Sequence, residues 1–139
     1  MQSFLSLVKE AKKANSFTSI ALGKFDGMHI AHQEIFKALD SNGMVLCIES
    51  NRGELLPKPY RDFYCEFPIY HLALDIIKEK SGEDFVRFIC GILPNLKRIV
   101  VGYDFRFGKD RNCYTFDLQK YFQGEVVVIE EVFCKKLSV

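Results

Sequence analysis

The segment from Ile20 to Ala38, IALGKFDGMHIAHQEIFKA, predicts a strand, a tight turn and a helix in succession. Apolar residues run without interruption from Ile20 to Leu22, whereas beyond Ile30 they recur at helical spacing. In the intervening sequence GKFDG a glycine stands at each end, so the backbone can turn sharply and approach a ligand closely. The segment therefore predicts a βα unit with a ligand-binding turn.

The start of the predicted helix is suited to binding an anion. The first turn of a helix offers unpaired N–H groups and the positive end of the helix dipole. His29 and His32 are three residues apart, which places both imidazoles on one face of that turn. The alternative is a capped helix whose histidines are ordinary surface or core residues, and two histidines alone do not exclude it.

The rest of the chain alternates strands and helices. Apolar runs predict strands over residues 18–22, 44–50, 69–76, 97–101 and 125–132, although the pattern of 69–76 also fits a helix. Helical spacing and capping residues predict helices over residues 3–14, 30–39, 81–93 and 115–122, with a long loop over 51–68. This alternation predicts an α/β fold with a parallel sheet of about five strands and helices on both faces.

Composition limits the remaining possibilities. The 139 residues, 48% of them hydrophobic, predict one compact domain over 1–139. A net charge of +1 gives no global attraction to nucleic acid or to an anionic membrane surface. The sequence shows no signal peptide and no apolar run of roughly 20 residues, so we expect a cytoplasmic protein without a membrane partner. The five cysteines are widely spaced, which predicts reduced thiols without a nucleophilic role.

A second unusual segment, GYDFRFGKDR, directly follows the strand predicted over residues 97–101. In parallel α/β sheets, ligands bind beyond the carboxyl ends of the strands, near the point where the strand order reverses. We therefore expect this loop and GKFDGMH to line one crevice. The alternative for GYDFRFG is an aromatic-rich turn that only packs on the core.

Both segments match known motifs. FDGMHIAH resembles the G-x-F-D-G-x-H-x-G-H signature of nucleotidyltransferases that join a nucleotide to a phosphorylated vitamin. VVGYDFRFGKDR, residues 100–111, resembles the V-V-G-x-D-F-R-F-G stretch of bacterial FMN adenylyltransferases, also called FAD synthetases. The resemblance extends from Ser19 to about Val128 and is loose between Asn51 and Tyr70. It implies a Rossmann-like sheet and adenylyl transfer from ATP to FMN, giving FAD and pyrophosphate with the help of Mg²⁺.

The resemblance also implies roles for individual residues. His29 and His32 would be catalytic, as donors to the charge of the transition state. The ATP side would consist of these two histidines together with Gly23, Lys24, Phe25, Asp26 and Gly27. The flavin side would consist of Asp104, Phe105, Arg106 and Arg111. No residue is assigned as a metal ligand.

The sequence departs from the family pattern in four places. Lys24 stands where an asparagine is common in the family. Ala31 replaces the glycine of H-x-G-H, and Cys113 and Tyr114 stand where the family usually has a glycine and an acid. The S-S-T-x-I-R motif, which contacts ATP phosphates in the family, and the riboflavin kinase domain that usually follows are both missing. The chain is then either an excerpt of a longer protein or a minimal relative.

Two other functions stay open. Another adenylyltransferase of the superfamily, acting on a pantetheine or nicotinate phosphate, would share the histidines but has no reason to carry GYDFRFG. A non-catalytic nucleotide- or flavin-binding module would tolerate Ala31 and the missing motif. Release of pyrophosphate that depends on ATP and FMN distinguishes an enzyme from a module.

Overall fold

The computed structural model describes residues 2–23, 30–49 and 66–130, and for residues 30–33 it describes the backbone alone. Within these ranges six parallel strands form one sheet, in the order β1-β4-β3-β2-β5-β6. The strands are β1 (Gln2–Ser3), β2 (Ser19–Gly23), β3 (Gly43–Glu49), β4 (Ile69–Ala73), β5 (Arg98–Gly102) and β6 (Glu125–Ile129). The helices are α1 (Ala11–Ser16), α2 (Ile30–Lys37), α3 (Leu74–Ile77), α4 (Gly82–Ile92) and α5 (Thr115–Tyr121), with 3₁₀ helices at Phe4–Lys9 and Lys109–Arg111.

Hydrophobic cores cover both faces of the sheet, as the alternation of elements predicted. Because successive side chains of a strand point to opposite faces, Ile20 and Leu22 lie in one core and Ala21 in the other. The larger core also contains buried side chains from the N-terminal helices, α4 and α5, among them Phe4, Leu7, Ala14, Phe85, Ile89 and Leu118. The smaller core contains Ile35 and Phe36 of α2. The predicted parallel α/β fold is therefore confirmed, with one strand more than expected.

The extra strand is β1, and the single helix predicted over residues 3–14 is observed as two shorter helices, a 3₁₀ helix over Phe4–Lys9 and α1. Gln2 and Ser3 pair with β4. The Ser3 hydroxyl then accepts a hydrogen bond from Leu5 N at 3.3 Å and caps the first 3₁₀ helix. Phe4 and Leu7 of that helix are buried at a spacing of three, which suits three residues per turn. The backbone leaves helical geometry at Glu10, so α1 is a separate helix.

Two other predicted strands differ from the observed ones. The ambiguous segment 69–76 is a strand only as far as Ala73 and continues as α3. Its first part therefore fits the strand interpretation and its last part fits the helix interpretation. The last strand was expected to be buried over 125–132, but the apolar side chains of β6 are half-buried, because β6 is the outermost described strand on its side. Most of the loop predicted over 51–68, and the end of the last predicted strand, lie outside the described residues.

Local capping follows the prediction. The Ser81 hydroxyl accepts a hydrogen bond from Asp84 N at 3.1 Å and begins α4. At the start of α5, the Asp117 carboxylate accepts one from Tyr114 N at 2.8 Å. These polar side chains satisfy N–H groups that a helix leaves unpaired at its first turn, so the helix starts are readable from the sequence.

The turn between α2 and β3 is fixed to β2 through Asp40. Its carboxylate accepts hydrogen bonds from Thr18 Oγ1 at 2.8 Å, from Ser19 Oγ at 2.9 Å and from Asn42 N at 2.9 Å. Burial by itself raises the pKa of Asp40, but these hydrogen bonds and the charge of Arg98 outweigh it and hold the pKa below its usual range. The ionised carboxylate therefore stabilises the beginning of β2.

Three of the cysteines, Cys47, Cys90 and Cys113, are described and are free thiols. Cys47 is buried in β3, and Cys90 is half-buried in α4. Burial raises the pKa of the Cys90 thiol, and burial together with the charge of Asp117 raises the pKa of the Cys113 thiol. A raised pKa keeps a thiol protonated, which makes it a poor nucleophile.

In the described ranges, no helix is long and apolar enough to cross a membrane.

Candidate functional site

The strand order reverses between β2 and β5. From β2 the chain continues to β3 on one side, and after β4 it crosses back to β5 on the other side. In the register of this pair, Ile20 lies opposite Ile99 and Ala21 opposite Val100. Both strands end in glycine, Gly23 and Gly102, and continuing the register brings these ends to neighbouring positions. The two loops singled out in the sequence thus begin side by side at the switch point.

The predicted ATP side is only partly described. Gly23 is the half-buried last residue of β2, and His32 lies in the first turn of α2, although its side chain is not described. Lys24, Phe25, Asp26, Gly27 and His29 lie outside the described residues. The assignment of these seven residues stays a prediction.

Helix α2 reaches over the start of the second loop. Ile35 Cδ1 lies 3.7 Å from the position that a Cβ atom on Gly102 would take. Asp104 Oδ1 lies 3.3 Å from the same position, so the exposed Asp104 folds back toward the end of β5. Phe105 N donates to Gly102 O at 3.2 Å and closes this turn. A Cβ atom at Gly102 would therefore come close to Asp104 and displace its carboxylate slightly.

The two phenylalanines of the loop have different environments. Phe107 is 5% exposed and its ring lies 5.7 Å from that of Phe85, so it belongs to the larger core. Phe105 is half-buried and stacks on Phe107 with ring centroids 5.8 Å apart and planes 16° apart. Phe107 lies within the larger core and Phe105 packs against it, so both rings fit the alternative interpretation, an aromatic turn packed on the core.

The segment from Phe107 to Cys113 forms a closed loop. Phe107 and Cys113 exchange two backbone hydrogen bonds, of 3.1 and 3.0 Å. Between them Gly108 has a φ of 81°, and Asp110 and Arg111 have φ values of 59° and 55°, a region that residues with a side chain seldom adopt. The loop packs on the start of α4, since Gly108 and Gly82 approach each other closely. Its conformation is thus held by tertiary contacts.

The two arginines of the predicted flavin side meet in this loop. Arg106 Nε donates to the carbonyl oxygen of Arg111 at 3.0 Å. The Arg106 guanidinium carbon also lies 4.4 Å from the centre of the Tyr114 ring, a cation–π distance. Both arginines are exposed, and neither forms an ion pair with any residue in the described ranges. Within the described ranges, no carboxylate neutralises either charge.

Sequence reasoning missed two candidate residues. Tyr114 was noted only as a departure from the family pattern, although it contacts Arg106. Glu49 ends β3 at the carboxyl edge of the sheet with only 8% of its surface exposed. A buried carboxylate at that edge is a candidate functional group. The sequence signal that could have identified it is an acidic residue directly after a continuous apolar run.

Among the residues that the structure describes, no group of three or more His, Cys, Asp or Glu is placed to hold a metal ion.

Comparison with known proteins supports the motif interpretation. No protein-family model matches the chain. Trifunctional protein RibF/MnmA of Mycoplasmoides gallisepticum is 29% identical over 142 residues, which cover 96% of this chain and 21% of that protein. The bifunctional riboflavin kinase/FMN adenylyltransferase of Buchnera aphidicola subsp. Schizaphis graminum is 29% identical over 127 residues, 76% of this chain and 41% of that protein. The chain spans less than half the length of these two relatives.

A solved structure shares the fold. The crystal structure of a macrolide-efflux protein from Streptococcus pneumoniae superposes with a TM-score of 0.68 and is 26% identical, over 83% of this chain and 45% of that one. The curated relatives confirm the resemblance to bifunctional riboflavin kinase/FMN adenylyltransferases that the two motifs predicted.

Proposed function

We propose that residues 1–139 form an FMN adenylyltransferase domain, which transfers the adenylyl group of ATP to FMN. One observation carries the proposal: the two motif-bearing loops begin at Gly23 and Gly102, on neighbouring strands at the switch point of the sheet. In parallel α/β sheets, ligands bind beyond such strand ends at the switch point, so we expect both nucleotides to bind there. The names of the curated relatives support this activity.

The reaction is a single in-line displacement. A phosphate oxygen of FMN attacks the α-phosphorus of ATP, the bond to the oxygen that bridges to the β-phosphate breaks, and pyrophosphate leaves. Such a transfer requires the protein mainly to align the two nucleotides and to stabilise charge on the reacting oxygens. Mg²⁺ would arrive with the triphosphate of ATP, because this ion is usually held by substrate phosphates and one or two carboxylates.

In this proposal each loop has a separate task. On the ATP side, His29 and His32 donate to the transition-state oxygens, and the glycine-bracketed turn brings backbone N–H groups to the phosphates. On the flavin side, the half-buried Phe105 ring offers a planar surface, and Asp104 lies beside it at the strand end. Arg106 and Arg111 provide positive charge that no described carboxylate neutralises.

The test is a measurement of products. The chain is incubated with ATP, Mg²⁺ and FMN, and pyrophosphate and FAD are quantified. We expect equal amounts of both, and no product when riboflavin replaces FMN, because riboflavin lacks the attacking phosphate. Binding of ATP and FMN without release of pyrophosphate would contradict the enzyme and favour a binding module. Turnover with a nicotinate or pantetheine phosphate instead of FMN would favour another adenylyltransferase.

The name of the structural neighbour points to macrolide efflux, which differs from this proposal. We give more weight to the curated relatives, because the name of the bifunctional riboflavin kinase/FMN adenylyltransferase of Buchnera aphidicola agrees with both sequence motifs. A riboflavin kinase domain in the natural protein is a further part of the proposal. The mass of the intact natural protein tests it, and a product of this chain's length alone would contradict it.

A further inference from the structure

The Arg106 side chain is held in place by groups that carry no negative charge. Its Nε atom donates to the Arg111 carbonyl oxygen at 3.0 Å, and its guanidinium lies over the Tyr114 ring at 4.4 Å. The Tyr114 ring is itself oriented, because it stacks on Phe116 with planes 8° apart and centroids 5.8 Å apart. The hydrogen bond and the ring contact together orient the plane of the guanidinium.

Among the described residues, these contacts leave most N–H donors of the guanidinium without a partner. An arginine has five N–H donors, and the bond to Arg111 uses one of them. The two terminal nitrogens carry the others, in the fork geometry that matches a phosphate. In the described part of the chain, no carboxylate pairs with Arg106. Asp117, the first acidic residue after Tyr114, does not pair with Arg106 but accepts a hydrogen bond from Tyr114 N.

The loop backbone also supports this arrangement. Arg111, whose carbonyl oxygen accepts the hydrogen bond from Arg106, has a φ of 55°, and the preceding Asp110 has a φ of 59°. Each such conformation costs of the order of 1 kcal/mol or more for a residue with a side chain, so surrounding contacts must stabilise it. The chain thus tolerates strain where it presents a carbonyl to Arg106.

We propose that Tyr114 is a positioning residue, which holds the Arg106 guanidinium ready to bind the phosphate of FMN. This inference rests on the proposed function. An acid at position 114 would neutralise Arg106, whereas an aromatic ring orients it and leaves its charge. Because the side chain is ordered before the ligand arrives, binding loses less side-chain entropy.

The experiment compares FMN with riboflavin, which differ only in the phosphate. Binding of each flavin to the chain is measured from the change in flavin fluorescence. We expect Tyr114→Leu to weaken FMN binding about two- to fivefold, the equivalent of an exposed cation–π contact, and to leave riboflavin binding unchanged. Arg106→Met should weaken FMN binding tenfold or more. In the double variant, Tyr114→Leu should add nothing to the loss caused by Arg106→Met.

Two further variants serve as controls. Tyr114→Phe retains the ring and should retain FMN binding, which separates the ring from the hydroxyl. Lys120→Met removes one positive charge from α5 without touching Arg106, and it should leave both flavins unaffected. Thermal unfolding of each variant confirms that it is folded, and the 45% exposure of Tyr114 makes substitution there compatible with folding.

The outcomes separate this inference from the proposed function. Equal losses for FMN and riboflavin, no loss, tighter FMN binding or additive losses in the double variant would each overturn the positioning role of Tyr114. If the unmodified chain bound neither flavin, the proposed function itself would fail, and the role of Tyr114 with it. If the unmodified chain binds FMN, and Arg106→Met weakens this binding but Tyr114→Leu does not, the proposed function stays intact and only the positioning role is refuted.

Discussion

Replacing Gly82 with alanine tests how closely the Phe107–Cys113 loop packs on α4. Gly82 is the buried first residue of α4. A Cβ atom there would lie 2.5 Å from Cys113 Sγ and 3.1 Å from carbons of the Phe107 and Tyr121 rings. The sulfur contact is well below van der Waals distance, and both rings belong to or pack on the core, so the Cys113 side chain or the loop that carries it has to move.

The expected cost follows from two opposing effects. Inserting a methyl group into a packed core costs about 1–3 kcal/mol. Alanine is better than glycine inside a helix by roughly 1 kcal/mol, and by less at a first helical position. We therefore expect Gly82→Ala to lower the free energy of unfolding by about 1–2 kcal/mol.

Gly91→Ala is the matched control, because Gly91 lies in the same helix and a Cβ atom there would meet nothing within 4 Å. It should stabilise the protein by about 0.5–1 kcal/mol. Urea unfolding followed by circular dichroism measures both variants. Adding Cys113→Ala to Gly82→Ala removes the sulfur and should recover part of the loss. A Gly82→Ala variant as stable as the wild type would refute the described packing of the loop on α4.

Three further predictions concern charge and the proposed site. Because the folded-state pKa of Asp40 is lowered, its stabilising effect is complete above its unfolded value of about 3.9 and is lost as the pH falls through the folded value. Asp40→Asn should therefore flatten the acid limb of a stability profile measured between pH 2 and 6, and an unchanged limb would contradict this. His29→Ala and His32→Ala should each lower turnover by roughly two to three orders of magnitude without unfolding the chain, and steady-state pyrophosphate release measures this. Unchanged turnover would remove the histidine concerned from the site. Asp104→Asn should weaken FMN binding by about 1–3 kcal/mol and leave ATP binding nearly unchanged, whereas parallel losses in calorimetry would indicate a structural role.

The sequence alone determined the elements whose signals are local. Continuous apolar runs identified β2, β3 and β5, because a strand buried on both faces needs no polar alternation. Ser81 marked the beginning of α4, because an N-cap hydroxyl acts within one turn of the helix. The two motif segments were also found from the sequence, as was their position after strands, and the strand order places the ends of those two strands next to each other.

Tertiary structure decided what depends on partners far apart in the sequence. Residues 3–14 have a helical pattern, but Ser3 joins Gln2 in a strand that pairs with β4, and burial at a spacing of three makes the next stretch a 3₁₀ helix. Phe105 and Phe107 are the same residue type in one motif, and only packing against Phe85 places the second in the core. Tyr114 meets Arg106 because the loop closes between Phe107 and Cys113. Such contacts depend on how the chain folds back on itself, and the local pattern of residue types does not encode that.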